Sequence, residues 1–174
     1  MKKFKTDIQG CFFFIDQNFY DKRGYTNIFN FNDFEKNKKI HPNQIIFSKS
    51  KKNVFRGFHY QKRFPQSKLI KLIKGSVEDY ILDLRKKSKT YLKLIKIELN
   101  EKEQKYLFIP KGCAHGYYSK SHENILMYLI QGKYISKMQT GINLKDKLFK
   151  NIINKKTKII QSDNDKRLPI LTSI

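Results

Sequence analysis

Two histidines raise the first chemical question in this sequence. His59 lies in VFRGFHYQ (Val54 to Gln61), between two aromatic residues and just after an Arg-Gly pair. His115 lies in PKGCAHG (Pro110 to Gly116). An imidazole so placed serves as a base, as a metal ligand or as a hydrogen-bonded core residue. A metal site would need further ligands on the same face of the strand, two residues away from His59. Here Gly57 stands two residues before His59 and Gln61 two residues after it. His59 and His115 are therefore a thin ligand set, and no metal site is expected. The two cysteines, Cys11 and Cys113, form neither a CxxC pair nor a zinc spacing, and read as free thiols of a reducing cytoplasm.

These residues need a scaffold, and the chain offers strands. Apolar runs of strand length recur between Gly, Asn, Asp and Lys-Ser turns: GCFFFID, QIIFSKS, VFRGFHY, KLIKLI, SVEDYILDL, YLKLIKIEL, KYLFIP and NILMYLI. Strand alternation predicts Phe55, Gly57 and His59 on one face, with Arg56, Phe58 and Tyr60 on the other. It also puts Ile95, Ile97 and Leu99 together, along with the stem of Lys93. LIKGSV reads as a hairpin turn with Gly75 in it. Helical pattern is weak: FNDFEKN suggests one turn capped by Asn32 or Asp33, and the lysine-rich tail another. The segment after Gly141 has the least pattern. Many short strands with a few short peripheral helices predict an all-β protein, a β-sandwich or jelly roll.

The chain has 174 residues, 39% hydrophobic and 14% aromatic, which predicts one folded domain over 1–174 and excludes a disordered chain. CFFFI is too short for a signal segment, and no apolar run approaches the ~20 residues of a membrane span. A cytoplasmic protein with no membrane partner is expected. Lys and Arg number 37 against 15 acidic residues, a net charge of +22. The lysines are dispersed and the only arginines are Arg23, Arg56, Arg63, Arg85 and Arg167, which argues against a nucleic-acid partner. The positive field would still draw in an anionic substrate such as a nucleotide sugar.

A more specific pattern runs along the chain. RGFHYQ is followed by QSKLIKLIKGSVEDYILDLR, FIPKGCAHGYY, a tyrosine in LMYLI, and SDNDKRLP. In order and spacing these motifs resemble the dTDP-4-dehydrorhamnose 3,5-epimerase family, from about Phe14 to Pro169. PKGCAHG also looks like the second box of the cupins, so the resemblance implies a cupin-type jelly roll. The implied reaction is epimerisation of a nucleotide-diphospho-4-keto-6-deoxy sugar, destined for surface polysaccharide. A ketone at C4 acidifies the protons on C3 and C5. Inversion needs a base on one face, a group to hold the enolate oxygen, and an acid on the other face, with no cofactor or metal. By motif position the resemblance assigns the base to His59 with Asp165 as its carboxylate partner, Asp163 being the fallback. Lys68 would steady the enolate and Tyr128 would return the proton. Arg56, Gln44, His115 and Tyr134 would bind substrate. Arg23, in YDKRGY, would reach a neighbouring subunit's site, which implies a homodimer.

The departures from the family pattern concern the nucleotide. Ile46 replaces an asparagine, Ile28 a glutamate, Leu144-Lys145-Asp146 a WND, and Asn164 a lysine. A GDP- or CDP-linked sugar, a heptose, or inversion at C3 or C5 alone therefore stay open. Three other classes stay open too: a non-catalytic sugar-nucleotide-binding cupin, a basic polyanion-binding protein, and a 3,4-keto-sugar isomerase on the same fold.

Overall fold

A computed structural model describes residues 2–30, 41–153 and 158–171. Thirteen strands are formed: β1 (Lys2–Lys5), β2 (Phe12–Ile15), β3 (Asn18–Asp21), β4 (Gly24–Asn27), β5 (Gln44–Lys51), β6 (Phe55–Gln61), β7 (Ser67–Lys74), β8 (Ser76–Asp83), β9 (Leu94–Asn100), β10 (Lys105–Ile109), β11 (Cys113–Ser119), β12 (Glu123–Gln131) and β13 (Gln139–Gly141). Two single-turn helices follow, α1 (Lys150–Ile153) and α2 (Asp163–Lys166). The turn expected in FNDFEKN lies outside the described residues.

The strands build a sandwich of two antiparallel sheets. One has six strands in the order β1-β2-β10-β7-β12-β5, the other five in the order β13-β6-β11-β8-β9, and β3 and β4 form a separate hairpin. From β5 to β8 the chain changes sheet at every step, and again between β9 and β12. That is a jelly roll, as the strand pattern predicts. One reading is corrected by it: LIKGSV is a turn, but not a hairpin. β7 and β8 belong to different sheets, and Gly75 (φ +93°) carries the chain across. A Cβ there would sit 2.4 Å from the Glu123 carbonyl oxygen, so only glycine fits.

Period-two alternation places the core. Leu126, Tyr128 and Ile130 of β12, Ile70 and Leu72 of β7, and Leu107 and Ile109 of β10 meet Val77, Ile81, Leu99, Cys113 and Tyr117 between the sheets. Ile95 and Ile97 pack against them beside Leu99, the expected face of β9. Each fully buried side chain of this size is worth about 1.5–3 kcal/mol. The opposite faces of β2 and β10 carry a second, aromatic layer of Phe12, Phe14, Tyr106 and Phe108.

The segment after Gly141 closes the outer face of the five-stranded sheet. Ile142, Leu144, Phe149 and Ile152 join Phe55, Phe58, Tyr80 and Leu82 in a third cluster, with Phe149 stacked on Phe58 at 4.0 Å. Its apolar residues follow no single period because they come from a loop, a short 3-10 turn (Lys147–Phe149) and α1, which is why the sequence reads poorly there.

Candidate active site

A cleft of about 230 Å³ lies between the sheets. β6 and β11 give it Arg56, His59, Cys113, His115 and Tyr117; β5, β7 and β12 give it Gln44, Ile46, Ser48, Lys68, Tyr128 and Ile130; and Tyr134 comes from a loop. His59 and Tyr128 thus stand on different sheets, with the cleft between them.

Strict alternation along β6 fails, and the site depends on the failure. Arg56 and His59, three residues apart, both line the cleft, while Phe55 and Phe58 both face the outer cluster. The pairing with β11 explains it: His59 opposes His115 and Arg56 opposes Tyr117, so Gly57 and Phe58 together face Gly116. This one-residue bulge turns Arg56 onto the face of His59. It needs glycine, since Gly57 has φ +118° and a Cβ would lie 2.5 Å from Gly116 Cα and 2.6 Å from the His115 carbonyl oxygen.

Asp165 reaches His59 from α2. Ser162 caps that helix, its Oγ accepting from the Asp165 N–H at 3.1 Å. Asn143 ties the following turn down, donating to the carbonyls of Lys166 (2.7 Å) and Leu168 (3.0 Å). Asp165 Oδ1 then lies 2.7 Å from His59 Nε2, and Oδ2 accepts from the Gly57 N–H at 3.3 Å. Burial pushes the Asp165 carboxyl up, but the His59 hydrogen bond and charge, with smaller help from Gly57 and Arg56, outweigh it and hold the acid below its ordinary range. A carboxylate only accepts, so Nε2 is the donor in this hydrogen bond. The alternative Asp163 is exposed and bonds Lys166 instead (3.1 Å).

Opposite, Tyr128 is buried, with its ring edge-on to His115 at a centroid distance of 5.8 Å. Burial raises its phenol well above the ordinary value, so it holds its proton at neutral pH. Lys68 lines the same wall, and burial pulls its ammonium down to about 8, against the opposing pull of Asp79. Arg56 is aimed by Nε to Ser50 Oγ (2.9 Å) and by an Nη to the Lys49 carbonyl (3.1 Å). Gln44 faces the cleft on β5 beside Ile46 and Ser48. Tyr134 rides on a loop held by Gln61, which donates to the Lys133 carbonyl (3.0 Å) and accepts from the Ile135 N–H (2.7 Å). Arg23 stands apart from its own chain's cleft: at the tip of the β3–β4 hairpin it pairs with Asp21 at 2.6 Å, its side chain 83% exposed.

Sequence reasoning passed over two features of this site. One is the bulge, whose only trace is Gly57 in the strand. The other is Asp79, fully buried behind His115 and bonded to its Nε2 at 2.8 Å. Its signal was an acidic residue in SVEDYILDL that alternates with the inward Val77 and Ile81. Among the described residues no group of three His, Cys, Asp or Glu is placed to hold a metal ion.

Known proteins resemble this chain in sequence and in fold. The family model described as dTDP-4-dehydrorhamnose 3,5-epimerase matches residues 5–173. The dTDP-4-dehydrorhamnose 3,5-epimerase of Shigella flexneri is 35% identical over 151 residues, 84% of this chain and 83% of the relative. The dTDP-6-deoxy-D-glucose-3,5-epimerase of Legionella pneumophila, solved in complex with dTDP-4-keto-L-rhamnose, has a TM-score of 0.93 at 27% identity, over 99% of this chain and 94% of that one. The Bacillus anthracis dTDP-4-dehydrorhamnose 3,5-epimerase, with TDP and PPi bound, gives 0.91 at 31% identity over 98% and 99%. With its jelly roll and its facing His59 and Tyr128, this chain belongs to the dTDP-4-dehydrorhamnose 3,5-epimerase family of carbohydrate isomerases.

Proposed function

We propose that the protein inverts C3 and C5 of a dTDP-linked 4-keto-6-deoxy sugar by proton transfer between two residues on opposite walls of the cleft. The observation that carries this reading is His59 on one sheet, bonded by Asp165 from α2, with Tyr128 and Lys68 on the other sheet. His59 Nδ1 removes the proton beside the C4 ketone. The imidazolium that forms is stabilised by Asp165 at 2.7 Å. Negative charge moves to the C4 oxygen, where the Lys68 ammonium meets it in a site of low dielectric. Tyr128 then delivers its proton to the other face of the same carbon, and inversion results.

The remaining polar groups of the cleft bind the substrate. Arg56, held by Ser50 and Lys49, presents its remaining N–H groups to the diphosphate. His115, Gln44 and Tyr134 take hydroxyls and the nucleoside. The exposed hairpin arginine, Arg23, completes the site of a second subunit in a homodimer. The product serves as a sugar donor for polysaccharide synthesis. The relatives' names and the dTDP-4-keto-L-rhamnose held by the Legionella protein support a dTDP-linked substrate.

Proton NMR in deuterium oxide tests the reading, with dTDP-4-keto-6-deoxyglucose and, in parallel, GDP-linked 4-keto-6-deoxy sugars. Deuterium at both C3 and C5 of the dTDP sugar is expected. Deuterium at one carbon alone would make the protein a mono-epimerase, exchange in the GDP sugar alone would move the nucleotide, and no exchange with any donor would overturn the reading.

A further inference from the structure

Tyr117 lines the cleft from β11, and it is buried in the core between the sheets. Its hydroxyl crosses to β5, an edge strand of the facing sheet. There Tyr117 Oη lies 2.9 Å from Ser48 Oγ and 2.8 Å from Ser50 Oγ. Ser50 Oγ in turn accepts from Arg56 Nε at 2.9 Å. Arg56, Ser50, Tyr117 and Ser48 thus form one hydrogen-bonded chain. It ties β6 and β11 of one sheet to β5 of the other.

Counting protons fixes the direction of this chain. Each hydroxyl has a single proton to give, and a guanidinium only donates. The Ser50 oxygen therefore receives from Arg56. Ser50 is buried, and Tyr117 Oη is the only other partner of its hydroxyl among the described residues. The Ser50 proton goes to Tyr117, and the Tyr117 proton passes on to Ser48 Oγ. Ser48 is left with an unspent proton, and it stands in the wall of the cleft. The reverse order would strand the buried Ser50 proton without an acceptor among the described residues, which is costly. The guanidinium at the head of the chain also polarises each hydroxyl after it, by about 10–30% per bond. Such a donor suits an anion.

We propose that Tyr117 is a positioning residue for the anionic part of the substrate: its hydroxyl keeps Ser50 against Arg56 Nε and turns the Ser48 proton into the cleft, so that Ser48 and Arg56 meet a diphosphate as prearranged donors. The identity of the anion rests on the epimerase reading, whereas the hydrogen-bonded chain does not. Arg56 is held at a second point by the Lys49 carbonyl at 3.1 Å, and its other N–H groups stay available to the ligand. Donors ordered in advance spare the ligand the entropy of ordering them.

Tyr117→Phe tests this by removing one oxygen from the middle of the chain. ¹⁵N relaxation reads the order parameter of the Arg56 Nε–H, assigned by its loss in Arg56→Lys. It should fall in Tyr117→Phe, because Ser50 is no longer held from its other side. Calorimetry with dTDP should show binding weakened by about three- to tenfold. Ser48→Ala should cost a similar factor. The double variant should fall short of the product of the two losses by at least about twofold, since both changes break the same chain. With a dTDP-linked 4-keto sugar, KM should rise by about the dTDP factor while kcat stays within about threefold. In folded Tyr117→Phe, an unmoved order parameter or an unmoved dTDP affinity overturns the proposal, and so do fully multiplicative losses in the double variant. Should Tyr117→Phe not fold, Ser50→Ala breaks the chain one step nearer Arg56. It should weaken dTDP binding by a similar factor, because Tyr117 Oη is then free to accept the Ser48 proton and draw it from the cleft. Unchanged affinity there overturns the proposal equally. If the wild type does not bind dTDP, the nucleotide reading fails, while the Arg56 order parameter still decides the chain.

Discussion

Replacing Tyr128 by phenylalanine should separate proton removal from inversion. The change deletes one oxygen and keeps the ring against His115 at 5.8 Å. The phenol makes no hydrogen bond among the described residues and lines the cleft, so the fold loses little. A stability change within about 1 kcal/mol is expected, a few degrees in Tm for a domain of this size. Catalysis loses its acid on one face only. Removing a positioned acid costs about 10²–10⁴-fold, or ~2.7–5.4 kcal/mol of barrier. The His59–Asp165 pair is untouched, so the proton beside the ketone should still be removed, exchanged with solvent and returned to the same face. In deuterium oxide, substrate of unchanged configuration should therefore acquire label within about tenfold of the wild-type exchange rate, while the inverted product falls by about 10²–10⁴-fold. Mass spectrometry of recovered substrate gives the first rate and NMR of the product the second. Equal loss of exchange and inversion would refute the division of labour between the two walls, and so would full retention of inversion.

Asp165→Asn should lower kcat by about 10²–10⁴-fold, since an amide cannot stabilise the imidazolium; wild-type turnover would contradict this. The acid side of the stability profile should also flatten in that variant. The Asp165 carboxyl is held below its ordinary 3.8, so its contribution is present above that value and lost as pH falls through the lower folded one; denaturant melts between pH 2 and pH 5 would read it. Gly57→Ala should destabilise the fold by about 2–5 kcal/mol, from φ strain and a clash with backbone on β11, with a lower urea midpoint as the readout. A change below about 0.5 kcal/mol would mean that the bulge is not rigid. Lys68→Met should abolish turnover, because the enolate oxygen would lose the ammonium that meets it, and a kcat within about tenfold of wild type would contradict this.

The sequence by itself marked eight of the thirteen strands formed among the described residues and missed β1, β3, β4, β11 and β13. Runs such as NILMYLI and KYLFIP alternate because each strand has one face on the core between the sheets, and that period survives in the one-dimensional order. Glycine and Asn-Asp punctuation marked where strands end, and the ordered motifs from RGFHYQ to SDNDKRLP pointed to the family before any coordinate. What strands do relative to one another was not local, and tertiary structure decided it. Gly75 announces a turn, but whether β7 and β8 pair or part depends on partners that arrive much later in the chain, β10, β11 and β12. Alternation misplaced Arg56 against His59 because the bulge is set by pairing with β11, and a period-two reading contains no term for a partner strand. SDNDKRLP offered two aspartates. Only the Ser162 cap and the Asn143 anchors turn Asp165 rather than Asp163 onto the imidazole. Asp79 was legible as an acid alternating with Val77 and Ile81, but its meaning depends on His115, which stands on another strand. Charges act through space, and the spacing that matters is the one folding creates.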